Sequence, residues 1–172
     1  GGRVVDGMVS HIDVMPTLLE LAGVELTHAE RQRLGGDSFA DLQPRRDVLY
    51  GEMTWHDYYD PMRCVRTATH KLIASFSTAP FVQDPSQAWR SLTKPLPGHA
   101  ATGPHPDFEL YDLAMDPYEL ENRFGDDALA EIRADLLSRL AGWMARTDDL
   151  LLTQRPLSPQ HRRVRERLLR AV

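Results

Sequence analysis

The 172-residue chain holds a single cysteine, Cys64, which excludes an internal disulfide framework and a cysteine-rich zinc site while leaving the redox compartment open. No uninterrupted apolar run approaches the roughly 18 to 20 residues that a bilayer-spanning helix requires. The opening Gly1-Gly2-Arg3 lacks the charged-then-apolar pattern of an export leader. A soluble chain is expected, with any signal lying upstream and the compartment open. The absence of an initiating methionine, together with the Gly1-Gly2-Arg3 opening, fits a chain cut from something longer, and no internal repeat or low-complexity stretch is apparent.

What is present suffices for one real core. With 42% hydrophobic residues, a single domain with an appended piece is the natural expectation. Charge is distributed unevenly. Residues 153 to 172 carry Arg155, Arg162, Arg163, Arg165, Arg167 and Arg170 against Glu166 alone, in a chain whose formal charge is −5. The tail is therefore electrostatically distinct from an acidic body.

Ser10 or Asp13 can cap a helix in which Pro16 is tolerated, Leu18, Leu19 and Ala22 supply apolar spacing and Gly23 stops the run, so a short buried helix is predicted over 14 to 22. Residues 25 to 47 turn polar and read as an irregular connection. Val48 to Glu52 is strand-like. Cys64 to Thr67 and Lys71 to Phe76 flank the short break at Ala68-Thr69-His70 as a hairpin. Residues 78 to 107 are rich in proline (Pro80, Pro85, Pro95, Pro97, Pro104, Pro106) and read as a long surface excursion. Phe108 to Leu113 is a fourth strand. From Asp126 or Asp127, the positions Leu129, Ile132, Leu136, Leu140, Trp143 and Met144 repeat at helical spacing through about Arg146. Ser158-Pro159 opens a possible basic helix in 153 to 172. These elements predict an α+β fold: about four antiparallel strands packed against one long C-terminal helix, preceded by a helix from a separate layer.

Three phrases carry a resemblance. Ser10-x-Ile12-Asp13-Val14-x-Pro16-Thr17-Leu18-Leu19-x-Leu21-Ala22-Gly23 resembles a helix late in the catalytic domain of sulfatases and their relatives in the alkaline phosphatase superfamily. The hairpin with Val65-Arg66-Thr67 and Lys71-Leu72-Ile73 is similar to that of the sulfatase C-terminal subdomain. Glu109-Leu110-Tyr111-Asp112-Leu113 with Asp116-Pro117, Glu119 and Asn122 resembles its next strand and turn. In that light residues 1 to 24 are the end of an α/β catalytic domain and residues 48 to 152 the C-terminal subdomain. Glu52 to His56 with Tyr58 to Arg63 look most like the heparan N-sulfatase (sulfamidase) branch. Phosphonate monoester hydrolases and choline-sulfatase-like enzymes share the C-terminal phrases.

The resemblance implies hydrolysis of a sulfate ester or sulfamate by formylglycine, with calcium holding the sulfate oxygens as charge develops. The formylglycine phrase Cys/Ser-x-Pro-x-Arg is absent, since Cys64-Val65-Arg66-Thr67-Ala68 lacks the proline. Asp126-Asp127 and Asp148-Asp149 read as helix ends rather than metal ligands. No catalytic residue or metal ligand is therefore assigned, and the chain alone is expected to be inert. It implies as partners an upstream catalytic domain, a sulfated small molecule or sugar and a second copy of the chain. Nucleic acid and membrane are not expected, because the basic tail has no aromatic residue to stack on bases and follows an acidic body.

Glu52, His56 and Arg63 are the candidate substrate-binding residues, because in sulfamidase-like enzymes this loop leans over the pocket entrance, and a guanidinium holds an anion by two parallel hydrogen bonds. The structural alternative pairs Glu52 with Arg63 across neighbouring strands and makes His56 a loop cap. His11 and Asp13 read as capping residues, Cys64 as a small buried hydrophobe, and His99 and His105 as solvated.

Overall fold

The computed structural model describes residues 2, 4, 7–43, 46–55, 59–78 and 104–172. They form two units, Gly1–Leu49 and Tyr50–Val172.

In the first unit a 3-10 turn, His11–Asp13, leads into helix α1 (Val14–Leu21), and Gly23 at φ +72° ends the run where a side chain would be strained. Asp13 is more than a cap. The residue is 2% exposed, and its carboxylate accepts from the amides of Ser10 (2.7 Å) and Asp37 (2.9 Å) and from both forks of the Arg46 guanidinium, Nε lying at 2.7 Å. Thr17 extends the tie, donating to the Asp13 carbonyl (2.6 Å) and accepting from the Phe39 amide (3.2 Å). Gly36 passes so close to Ile12 that a Cβ would stand 2.1 Å from the Ile12 carbonyl oxygen. Helix α1 departs from expectation in burial. Pro16 and Thr17 are buried, whereas Val14, Met15, Leu18 and Leu21 are 43 to 68% exposed. The connection predicted over 25 to 47 contains helix α2 (His28–Leu34). Thr27 and Glu30 exchange the reciprocal hydrogen bonds of a capping box, and Gly35 closes the helix at φ +64°.

The second unit is built on four strands, β1 (Leu49–Trp55), β2 (Tyr59–Arg66), β3 (His70–Ser75) and β4 (Phe108–Asp112), adjacent in chain order. Strands β2 and β3 pair antiparallel from Met62↔Ser75 to Arg66↔Lys71, and β3 and β4 from Ala74↔Phe108 to His70↔Asp112. Strand β2 starts earlier than predicted because Asp60-Pro61 imitates a turn. The proline lacks a donor, but the ladder to β3 begins only at Met62. Alternation puts Arg63, Val65, Leu72, Ala74, Phe108 and Leu110 on one face, and Asp60, Cys64, Ile73, Glu109 and Tyr111 on the other.

Helix α3 (Ala130–Arg146) follows a 3-10 turn capped by the Asp126 side chain and covers the first face, burying Leu136, Leu137, Leu140, Ala141 and Met144 against Val65, Leu72 and Leu110. Tyr50 stacks on Trp143 with ring centroids 5.0 Å apart. Beyond α3, a short α4 (Leu150–Thr153) and α5 (Pro159–Leu169) complete the layer, so the chain is α+β as expected. Ser158 caps α5, while Val164 and Leu168 are fully buried, each contributing about 1.5–3 kcal/mol of apolar transfer. The basic tail thus docks on its own body: Arg163 forms a two-pronged pair with Asp107 (2.6 Å each), and Gln160 Nε2 donates to the carbonyls of Ser75 (3.0 Å) and His105 (3.1 Å).

Candidate functional site

Of the three residues expected near a substrate, β1 and β2 bring two together. Arg63 emerges on the helix-covered face and is buried, at 6% exposure. Its Nε and Nη2 reach the Asp149 carboxylate at 2.6 and 3.3 Å. Its Nη1 donates to the carbonyls of Met53 (3.0 Å) and Met62 (2.9 Å) and to Thr54 Oγ1 (3.2 Å). Every nitrogen of the guanidinium is engaged by protein, which makes Arg63 a cross-link between the sheet and the start of α4. Glu52 stands 3.6 Å from Arg63 Nε and keeps most of its carboxylate in solvent, with 64% of the side chain exposed. His56 lies outside the described residues. At the end of β1, Trp55 is 66% exposed and meets Tyr59 edge-on at 5.4 Å. Among the described residues this part of the hairpin therefore offers solvent the Glu52 carboxylate and the Trp55 ring.

Sequence reasoning missed Asp149. It caps α4 through the Leu151 amide (2.9 Å), as an acid at a helix end should, and the same carboxylate receives Arg63 from 86 residues away. No local spacing signals such a pair.

A second polar group lies on the opposite face of the sheet and corrects the solvated reading of His105, which is 7% exposed. His105 Nε2 is 3.4 Å from Asp60 Oδ2 and its Nδ1 is 3.9 Å from Glu109 Oε1. Ser77 donates to Asp60 (2.5 Å), and the Tyr111 hydroxyl donates to Glu109. Burial, then the hydrogen bond and charge of Glu109, push the Tyr111 phenol well above its ordinary value. Asp60 and Glu109 are at most 3% exposed. The cluster is closed to a solute and ties β2, β4 and the segment entering β4. His99 lies outside the described residues.

Among the described residues no group of three or more His, Cys, Asp or Glu side chains is placed to hold a metal ion. Cys64 sits within β2, and burial raises its thiol above the ordinary value, the reverse of an activated nucleophile. Among the described residues these donors fit neither calcium nor formylglycine chemistry. Among the described residues no helix is long and apolar enough to cross a membrane.

The turn after β4 is held by its own acids. Asp116 accepts from the amides of Leu120 and Glu121 (2.6 and 2.8 Å), Asn122 bridges Leu110, Phe108 and Phe124, and Lys71 pairs with Glu119 at 2.6 Å. The most recognisable phrases in the chain are thus turn and packing devices.

No family model matches the chain. It is 26% identical over 160 residues to an ulvan-active sulfatase of Formosa agariphila, covering 87% of this chain and 31% of that protein. It is 30% identical over 163 residues to PehA, a multifunctional alkaline phosphatase superfamily protein of Trinickia caryophylli, covering 92% of this chain and 29% of the relative. Among solved structures, BT1596, a 2-O GAG sulfatase, superposes with a TM-score of 0.55 at 24% identity, over 87% of this chain and 28% of that one. The chain spans under a third of the length of the curated relatives it matches, and its similarity is to the C-terminal part of sulfatases.

Proposed function

We propose that this chain, similar to the C-terminal part of sulfatases, completes a hydrolase that cleaves sulfate esters or sulfamates, and that it is inert alone because the nucleophile and metal ligands lie upstream. The observation that carries the reading is the extent of the match: a sulfatase sequence and a sulfatase fold each align along 87% of the chain. In the complete enzyme, Glu52 and His56 line the substrate entrance, Arg63 holds the β1–β2 hairpin in place, and calcium and formylglycine belong to the upstream domain. A sulfated sugar is the favoured substrate, the sulfamidase branch is the finer assignment, and pairing with a second copy is an accompanying proposal.

A phosphonate or phosphate diester hydrolase is the second reading, kept because the chain is also 30% identical to a multifunctional protein of the superfamily that sulfatases share. An autonomous interaction module built on the basic tail has less support, because Gln160, His161, Val164 and Leu168 are buried in the chain's own core.

The test compares the 172-residue chain with the longer protein that extends it at the N-terminus. Both are assayed on 4-nitrophenyl sulfate, glucosamine N-sulfate and a phenyl phosphonate ester. Inactivity of the short chain is expected, with kcat/KM of the longer protein at least about tenfold higher on a sulfated substrate than on the phosphonate. Preference for the phosphonate overturns the sulfatase reading, and turnover by the short chain overturns its inertness.

A further inference from the structure

We propose that the groove between the first turn of α3 and the last turn of α5 binds a sulfate group carried on an anionic carbohydrate. The groove measures about 300 Å3, at the small end of ligand clefts. Ala130 and Ala134 on α3 and Ala171 after α5 leave its walls low, and Arg133, Arg167 and Arg170 converge on it. Arg133 is fixed in place: its Nη1 donates to the carbonyls of Phe124 (2.7 Å) and Asp126 (3.0 Å), and its guanidinium lies 5.7 Å over the Phe124 ring. Arg167 and Arg170, three residues apart, share one face of α5.

Among the described residues no hydrogen bond or ion pair uses Nε or Nη2 of Arg133, or any side-chain donor of Arg167 or Arg170. Arg46, Arg63, Arg123, Arg139 and Arg163 each hold a carboxylate, whereas among the described residues the exposed Arg66, Arg146, Arg155 and Arg162 do not, so the groove arginines are distinguished by their convergence on one space. Cations at a helix C-terminus complement the macrodipole, which accounts for Arg167 and Arg170 taken singly. Arg133 lies outside that explanation, because it stands near the start of α3, where the 3-10 turn is already capped by the Asp126 side chain. Glu131, the acid of the first turn of α3, is exposed and does not line the groove. Three guanidinium groups therefore face one space whose lining residues include no acid, the nearby Asp126 carboxylate being paired with Arg123, and this is the arrangement that takes an oxyanion by paired N–H donors. The choice of sulfate over phosphate rests on the function proposed above; the groove does not.

The test is calorimetric binding of a heparin-derived tetrasaccharide to the 172-residue chain, with inorganic sulfate, inorganic phosphate and a phosphorylated oligosaccharide as parallel probes. R167A/R170A is compared with R155A/R162A, which removes equal charge from exposed positions outside the groove. We expect the first pair to weaken tetrasaccharide binding at least about tenfold, or about 1.4 kcal/mol, and the second less than about twofold. A134E, which places a carboxylate in the groove on a strong helix former, should weaken binding similarly with an unchanged circular dichroism spectrum. Equal loss in both pairs, absence of binding by the unmodified chain, or tighter binding of duplex DNA with the same variant sensitivity overturns the proposal. Preference for the phosphorylated probe with the groove-specific pattern overturns the sulfate assignment. Binding is read without turnover, so failure here leaves the hydrolase reading standing, and failure of that reading leaves this binding measurement unaffected.

Discussion

Replacing Asp149 by alanine removes the countercharge of Arg63 and the cap of α4 in one step. Arg63 and Asp149 are 6% and 5% exposed, and unpairing such a charge costs about 3–5 kcal/mol, with about 1 kcal/mol more for the cap. Two features pull the total down. The Nη1 bonds to Met53, Thr54 and Met62 survive, and the Glu52 carboxylate, 3.6 Å from Arg63 Nε, is available as a substitute partner. The expected loss for D149A is therefore about 3 kcal/mol, read as a lower urea midpoint at unchanged m-value. D149N, which keeps acceptors for Leu151 and Arg63 but not the charge, should lose about 2 kcal/mol. R63M/D149A should recover to within about 1 kcal/mol of the unmodified chain apart from the cap, since an apolar replacement of both charges is near neutral. A loss below about 1 kcal/mol in D149A, or a double variant worse than the sum of the singles, refutes the cross-link. In the hydrolase proposed above, R63M with a raised KM and an unshifted midpoint would move Arg63 from the scaffold to the substrate.

Other parts of the molecule give equally direct outcomes. Gly36→Ala drives a methyl into the Ile12 carbonyl, a backbone contact that cannot swing aside, and should cost at least about 2–3 kcal/mol; amide exchange at Asp37 reads the loss. Burial opposes ionisation of Asp13, but the Arg46 hydrogen bond, the Ser10 and Asp37 amides and the Arg46 charge outweigh it and hold the carboxyl below its ordinary 3.8. Its contribution is then complete above pH 3.8 and disappears as pH falls through the depressed value. An acid titration of the unfolding free energy should show that loss in the unmodified chain and not in D13N. Tyr111→Phe leaves Glu109, 3% exposed, without the hydroxyl that binds it and should lower the denaturation free energy by about 1.5–3 kcal/mol; a change under about 0.5 kcal/mol would mean that water replaces the hydroxyl.

Local patterns were sufficient for much of the fold. The β2 to β4 strands follow from alternation around Val65, Leu72 and Leu110, and α3 from the stripe that ends in Trp143 and Met144. Helix α2 was also visible, in Thr27-x-x-Glu30 followed by Gly35, but the polar composition around it suggested a loop. Asp60-Pro61 hid the start of β2 because a missing donor matters only where a neighbour needs it. The links invisible to spacing are those between distant residues: Arg63 to Asp149, Asp13 to Arg46, and His105 folded onto Asp60 despite its proline-rich surroundings. The candidate site shows the same division. The nearness of Glu52 and Arg63 follows from adjacent strands, whereas the buried partner of Arg63 is a helix cap 86 residues later. The groove arginines divide likewise: Arg167 and Arg170 align by helical period, but only tertiary packing brings Arg133 to them.

The hold of α5 on the strand ends has a consequence for how this chain can diversify. Gln160 binds carbonyls on both sides of the segment that joins β3 to β4, Ser158 donates to the Phe76 carbonyl (3.3 Å), and the Ser75 amide bonds directly to Asp107 (3.1 Å). The connecting segment therefore departs and returns at nearly one point, on a seam fastened from behind by the C-terminal helix. With its ends so fixed, doubling its length adds only about 0.6 kcal/mol of closure entropy. Changes of length between Ser77 and His105 should therefore leave the sheet in place, provided that those anchored ends and the last helix are kept.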